Sequence, residues 1–232
     1  MKNILSECTL CPHKCKVNRL DGELGRCKAG KEIKYNLAML YYNEEPCISG
    51  EKGSGNIFFS CCNMNCVYCQ NYKISQLRNG NEITIEELAE LFLNLQNKGA
   101  NNINLVTATM YVPQIIEAVK IAKKLGLKIP IVYNCGGYES VETIKMLNGY
   151  VDIYLPDFKY YNNDTAFKYS KIKNYFENAS ESIKEMYKQV GEPIIDENGI
   201  MKKGVIIRNL ILPGKTEESK LILKWIKDNF EN

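Results

Sequence analysis

The sequence predicts an α/β fold on parallel strands, preceded by a cysteine-rich segment. Three observations predict it. From residue 56 onward, strand-length apolar runs alternate with stretches of helical period. Nine of the 10 cysteines lie within residues 8–69, so the front of the chain differs in kind from the back. And 232 residues suffice for one substantial domain with a small appendage, whose core needs no covalent staples.

The elements follow in order. NIFFS (56–60) reads as the first strand, and ITIEELAELFLNLQNKG (83–99) as a helix in which Thr84 and Glu87 have capping-box spacing. NINLVTA (102–108) is the second strand, and YVPQIIEAVKIAKKLG (111–126) a helix that stops at Gly126. IPIVYNC (129–135) is a buried strand, ESVETIKMLNGY (139–150) a helix, and VDIYLPDF (151–158) the fourth strand. A polar, tyrosine-rich connection leads to the helix SESIKEMYKQVG (180–191) and a turn at DENG (196–199). The strand GVIIRNLILPG (204–214) and the helix TEESKLILKWIKDNF (216–230) close the series. Strand and helix alternating five times imply right-handed crossovers, hence a partial parallel (β/α) barrel or a doubly wound sheet with its functional residues at the C-terminal strand ends. The expected division is a cysteine-rich metal-binding segment at 1–50 and the barrel at 51–232.

Composition narrows the function. Lys plus Arg total 30 against 27 acidic residues, and the lysines are scattered, which argues against a nucleic-acid binder of zinc-ribbon type. No apolar run reaches the roughly 18 residues of a membrane span, and MKNILSECTL meets cysteine before any signal-peptide core, so no membrane partner is expected. Clustered thiols in a cytoplasmic chain point to metal or redox chemistry and not to disulfides.

Cys62, Cys66 and Cys69 are spaced C-x3-C-x2-C in the loop that leaves the first strand. Three thiolates hold three corners of a four-iron cubane and leave one iron open to a small chelating molecule, a catalytic arrangement. A zinc knuckle or a redox-sensing thiol group is the plainer alternative, but the loop contains no His, Asp or Glu to complete a tetrahedron. Cys8, Cys11, Cys15 and Cys27 form a second set, C-x2-C-x3-C-x11-C, sufficient for a closed zinc site or a second cluster. His13 lies among them and reads as a loop residue. Cys47, Cys61 and Cys135 read as buried thiols acting as small hydrophobes.

The loop, with Tyr68 ahead of its third cysteine, resembles the radical S-adenosylmethionine superfamily, and GSGNIFFSCCNMNCVYCQNYKIS is similar to pyruvate formate-lyase-activating-enzyme-like proteins. CTLCPHKCKVNRLDGELGRCKAG, NINLVTATMYVPQI, PIVYNCGGYES, YLPDFKYY and VIIRNLILPG extend the resemblance along nearly the whole chain. It implies a [4Fe–4S] cluster whose open iron binds S-adenosyl-L-methionine. It further implies reductive cleavage to a 5′-deoxyadenosyl radical for hydrogen abstraction, an electron donor of flavodoxin or ferredoxin type, and a glycyl radical enzyme as the partner to be activated. It also implies six β/α units where five are visible.

The resemblance suggests cofactor contacts at Tyr68, Asn71, Thr107, Thr109, Asn134, Asp157, Lys159 and Arg208. Activating enzymes carry a glycine-glycine-acid motif for the cofactor amine where this chain has Thr107-Ala108-Thr109-Met110, and two hydroxyls could stand in for the carboxylate. Asn134 precedes the turn Gly136-Gly137. Asp157 and Lys159 match an acid-x-lysine element that handles the methionine moiety. Arg208, charged within an apolar strand, must meet an anion: the cofactor carboxylate or a structural Asp or Glu. The reading of a different class is a non-catalytic iron–sulfur electron-transfer or metal-binding protein.

Overall fold

The computed structural model describes residues 4–230. Its strands are β1 (Ile33–Tyr41), β2 (Ser54–Phe59), β3 (Asn81–Ile83), β4 (Ile103–Val106), β5 (Ile131–Cys135), β6 (Ile153–Pro156), β7 (Ile194–Ile195) and β8 (Met201–Val205). The helices are α1 (Pro46–Ser49), α2 (Tyr72–Ser75), α3 (Ile85–Asn97), α4 (Val112–Lys124), α5 (Val141–Met146), α6 (Asn163–Ser170), α7 (Tyr175–Val190) and α8 (Thr216–Asn229). All eight strands form one sheet in the order β3-β1-β2-β4-β5-β6-β8-β7. The run β2-β4-β5-β6-β8 is parallel, as the fivefold alternation predicts, and forms a partial barrel. Antiparallel β1 and β3 extend one side and β7 the other.

Strands β1 and β3 were not expected. In β1, Ile33, Tyr35, Leu37 and Met39 alternate with Lys34, Asn36 and Ala38, but the strand lies within the segment read as metal-binding, and Leu37 and Met39 stay exposed. Its pairing with β2 carries the sheet across position 50, from the cysteine-rich front into the barrel. Helix α6 occupies part of the expected polar connection; it buries only Thr165, Ala166 and Ser170, too small a stripe to read as amphipathic. Strand β8 is earlier and shorter than expected. Beyond Val205 only the bridge between Arg208 and Asp157 continues its pairing, and Leu210 and Ile211 are exposed, because β6 itself ends at Pro156.

Where the local chemistry was explicit, it is realised. The Thr84 hydroxyl accepts from the Glu87 N–H at 3.1 Å and the Glu87 carboxylate accepts from the Thr84 N–H at 2.7 Å, a complete capping box that starts α3.

Alternation along each strand divides the core in two. Ile57, Phe59, Ile103, Leu105, Ile131 and Tyr133 pack with Leu88, Phe92, Ile115 and Val119 of α3 and α4. On the inner face, Val132, Ile153, Leu155 and Met201 close around Ile48, so α1 fills the space inside the curved sheet. Burying Ile48 completely contributes about 1.5–3 kcal/mol. The loops after β2, β4, β5 and β6 leave from the same end of the parallel strands and meet at one rim. Among the described residues, no helix is long and apolar enough to cross a membrane.

Candidate iron–sulfur and cofactor site

The cysteine loop begins where β2 ends. Cys61 takes a left-handed backbone with φ 74°, which turns the chain so that its N–H donates to the Ile74 carbonyl at 3.1 Å. Farther along, the N–H groups of Asn65 and Val67 donate to the carbonyls of Ser170 and Tyr169 at 3.1 and 2.9 Å, stitching the loop to the end of α6. The Asn63 side chain donates to the Tyr138 carbonyl at 2.6 Å, and Gln76 donates to the Cys66 carbonyl at 3.1 Å. A loop tied at five points holds its thiols in place before any ligand arrives.

Each thiol of the trio has its own hydrogen-bonding neighbour. The Met64 N–H donates to Cys62 Sγ at 3.4 Å, the Ser170 hydroxyl donates to Cys66 Sγ at 2.9 Å, and the Ser75 hydroxyl lies 3.3 Å from Cys69 Sγ. Burial pushes the Cys62 and Cys66 thiols up from their ordinary values, while the Lys159 ammonium pulls in the other direction for both. The charge of a bound metal centre would therefore favour deprotonation of Cys62 and Cys66. Among the described residues no three Cys, His, Asp or Glu side chains are gathered to hold a single metal ion. Three thiols on one tethered loop, with no carboxylate or imidazole among them, fit the three corners of a cubane better than one ion.

Behind Cys66 runs a chain of hydroxyls. Tyr68 bonds Tyr160, whose hydroxyl lies 2.5 Å from Ser170 Oγ, and Ser170 donates to Cys66. Because Ser170 spends its proton on sulfur, it accepts from Tyr160. Tyr68 thus anchors the loop through its hydroxyl.

Across the rim, Asp157 sits between two cations, with Lys159 Nζ 2.6 Å from one carboxylate oxygen and Arg208 Nε 3.0 Å from the other. Arg208 also donates to Asn134 Oδ1 at 2.6 Å and lies 3.5 and 3.6 Å from the carboxylates of Glu44 and Glu45. The structure brings Asn134, Asp157, Lys159 and Arg208 together, and Arg208 meets structural acids. Glu44 and Glu45 were missed, because only the fold of α1 into the sheet aims them at Arg208. Asn56 donates to Glu44 at 2.9 Å. Beside it, Asn56 Oδ1, both side-chain polar atoms of Asn104 and Glu45 Oε2 are buried with no protein partner. Asn56 and Asn104 are register neighbours on β2 and β4, so these groups offer a polar ligand one concentrated set of donors and acceptors.

The remaining suggested contacts lie elsewhere around the rim. Asn71 is exposed at the start of α2. Thr107 holds a left-handed φ of 60°, unusual for a β-branched residue, and its N–H donates to the Asn134 carbonyl at 2.8 Å. Thr109 turns inward, its hydroxyl donating to Glu139 at 2.7 Å. Glu139 also accepts from Tyr133 at 3.2 Å, and burial raises its carboxyl to about 7. Sequence reasoning gave Glu139 no role beyond the start of the expected helix 139–150.

The Gly136-Gly137 turn has a packing reason. A Cβ on Gly136 would stand 2.6 Å from Met64 Sδ, and one on Gly137, at φ 78°, 2.1 Å from the Asp157 carbonyl oxygen. The two glycines let the cysteine loop and the β6 end close on each other.

The chain is 33% identical over 241 residues to Uncharacterized protein MJ0674 of Methanocaldococcus jannaschii, an alignment covering 100% of this chain and 64% of that relative's length. Among solved structures, methylornithine synthase (PylB) is similar in fold, with a TM-score of 0.50 and 17% identity over 72% of this chain and 47% of that one. SuiB of Streptococcus suis matches with a TM-score of 0.48 and 13% identity over 72% of this chain and 35% of its own. The family described as the Radical SAM superfamily matches residues 56–226, from within β2 through the cysteine loop and the other four parallel strands, and the chain belongs to that superfamily.

Proposed function

We propose that this chain binds a [4Fe–4S] cluster through Cys62, Cys66 and Cys69, binds S-adenosyl-L-methionine beside it, and initiates radical chemistry by hydrogen abstraction. The observation that carries the reading is the tethered three-thiol loop at the rim, each sulfur with a hydrogen-bonding neighbour. When bound, the cluster and cofactor supply one-electron cleavage of the sulfonium and a 5′-deoxyadenosyl radical. The residues here bind and orient. Lys159 and Arg208 offer positive charge to a carboxylate, and Asp157 offers negative charge to an amine. Asn134 fixes the guanidinium of Arg208. Tyr68 and Asn71 flank the third cysteine, and Thr107 and Thr109 occupy the neighbouring strand end.

The narrower reading, activation of a glycyl radical enzyme, rests on the sequence resemblance alone and stays a proposal. So do a reduced flavodoxin- or ferredoxin-type donor and a cytoplasmic setting, which the ten free cysteines suit. The test is anaerobic reconstitution with iron and sulfide, then dithionite and S-adenosyl-L-methionine, with 5′-deoxyadenosine quantified. We expect product from the native chain and none from a Cys62→Ala, Cys66→Ala, Cys69→Ala variant. A cluster that is reduced without any 5′-deoxyadenosine would instead favour an electron-transfer protein.

A further inference from the structure

The front cysteines lie against the loop just described. His13 Nε2 donates to the Asn63 carbonyl at 2.8 Å, between Cys62 and Cys66 in sequence. Ser140 and Thr143 both donate to the Leu10 carbonyl, at 3.1 and 2.7 Å, and Arg26 donates to the Lys171 carbonyl at 3.4 Å. The segment is therefore seated on the rim at three places.

Within it, backbone N–H groups point at sulfur. Arg26 N–H donates to Cys15 Sγ at 3.3 Å, His13 N–H bonds the Cys11 sulfur and Ala29 N–H the Cys27 sulfur. Lys14, Lys16 and Lys28 adopt left-handed backbones with φ of 41°, 57° and 58°, immediately beside Cys15 and Cys27. Three non-glycine residues in that conformation within one short segment require something that holds the turns. A Cβ on Gly25 would stand 3.0 Å from Cys15 Sγ, so the chain also passes close to this thiol. Arg19, 1% exposed, brings its guanidinium to 4.0 Å from Cys8 Sγ, a fixed positive charge beside the set. Tight turns, amides aimed at sulfur and a buried cation together suit a group of thiolates carrying net negative charge.

We propose that Cys8, Cys11, Cys15 and Cys27 hold a second iron–sulfur cluster, closed by four thiolates and lying next to the rim cluster. A cluster is favoured over zinc because the segment is seated on the rim loop through His13 and Asn63, where a redox-active centre can exchange electrons with the rim cluster and a redox-inert zinc ion cannot. His13, engaged with Asn63, joins the two sites and is not a ligand.

The test does not depend on S-adenosyl-L-methionine cleavage. The Cys62→Ala, Cys66→Ala, Cys69→Ala variant, reconstituted anaerobically, is expected to bind about four irons against about eight for the native chain. Its Mössbauer spectrum should be that of a cubane. In a Cys15→Ala background of that variant, which removes an exposed thiol and leaves the core alone, the cubane signal should fall sharply or change its EPR g-values. With both sites filled and reduced, the native EPR spectrum should be broader than the sum of the single-site spectra. About one zinc and no iron per triple-variant chain purified from cells would overturn the cluster assignment. No metal of either kind would overturn the site.

Discussion

Ser170 and Ser75 are small residues with a large expected influence, since hydroxyls directed at cluster thiolates stabilise the more negative, reduced state. Ser170→Ala should lower the midpoint potential of the rim cluster, read by EPR-monitored titration, while leaving iron content unchanged. An unchanged potential would mean the 2.9 Å contact does not persist on the ligated sulfur. Glu139 makes a separate, pH-dependent prediction. Its folded value near 7 lies above the ordinary 4.5, so the native state holds its proton more tightly than the unfolded chain. This contribution to stability is complete below the unfolded value and disappears as pH rises through about 7. Across that interval it amounts to at most ~3 kcal/mol. Urea denaturation at pH 5 and pH 8 should show Glu139→Gln losing less stability with rising pH than the native chain.

At the scale of elements, the turn after β5 is the least forgiving. Gly137→Ala puts a methyl into the Asp157 carbonyl at a left-handed position and should cost ~2 kcal/mol or more, measurable as a lower denaturation midpoint. Thr84→Ala breaks only the capping box and should cost ~1 kcal/mol. The five parallel strands, α3 and α4 were legible because each buries a continuous face with clear stops. Strand β1 was not, although Ile33, Tyr35, Leu37 and Met39 alternate with Lys34, Asn36 and Ala38, because it falls within residues 1–50, read as a metal-binding segment. Helix α6 was hidden because it buries only Thr165, Ala166 and Ser170 and shows no apolar stripe. The cysteine spacing singled out the loop that leaves β2. Neither Glu44 nor Glu45 could be read, since their role depends on where α1 folds, over 150 residues in sequence from Arg208.

For the whole molecule, the seating of the front segment hinges on Arg19. Its side chain donates to the carbonyls of Gly30 and Met110, joining the segment to the end of β4. Arg19→Met removes the charge and leaves those acceptors buried, a loss of roughly 2–3 kcal/mol. Limited proteolysis should then cut within the first 30 residues faster than in the native chain, while the parallel strands stay protected. Equal cleavage rates would mean that the contacts of Leu10 and His13 suffice to hold the segment. At the opposite side of the sheet, Ile48 is fully enclosed by Val132, Ile153, Leu155 and Met201. That enclosure acts as a floor. On the proposed reading, a radical formed at the rim would be shielded from below by these apolar side chains, so its remaining exposure would lie upward, and the substrate would serve as its own stopper.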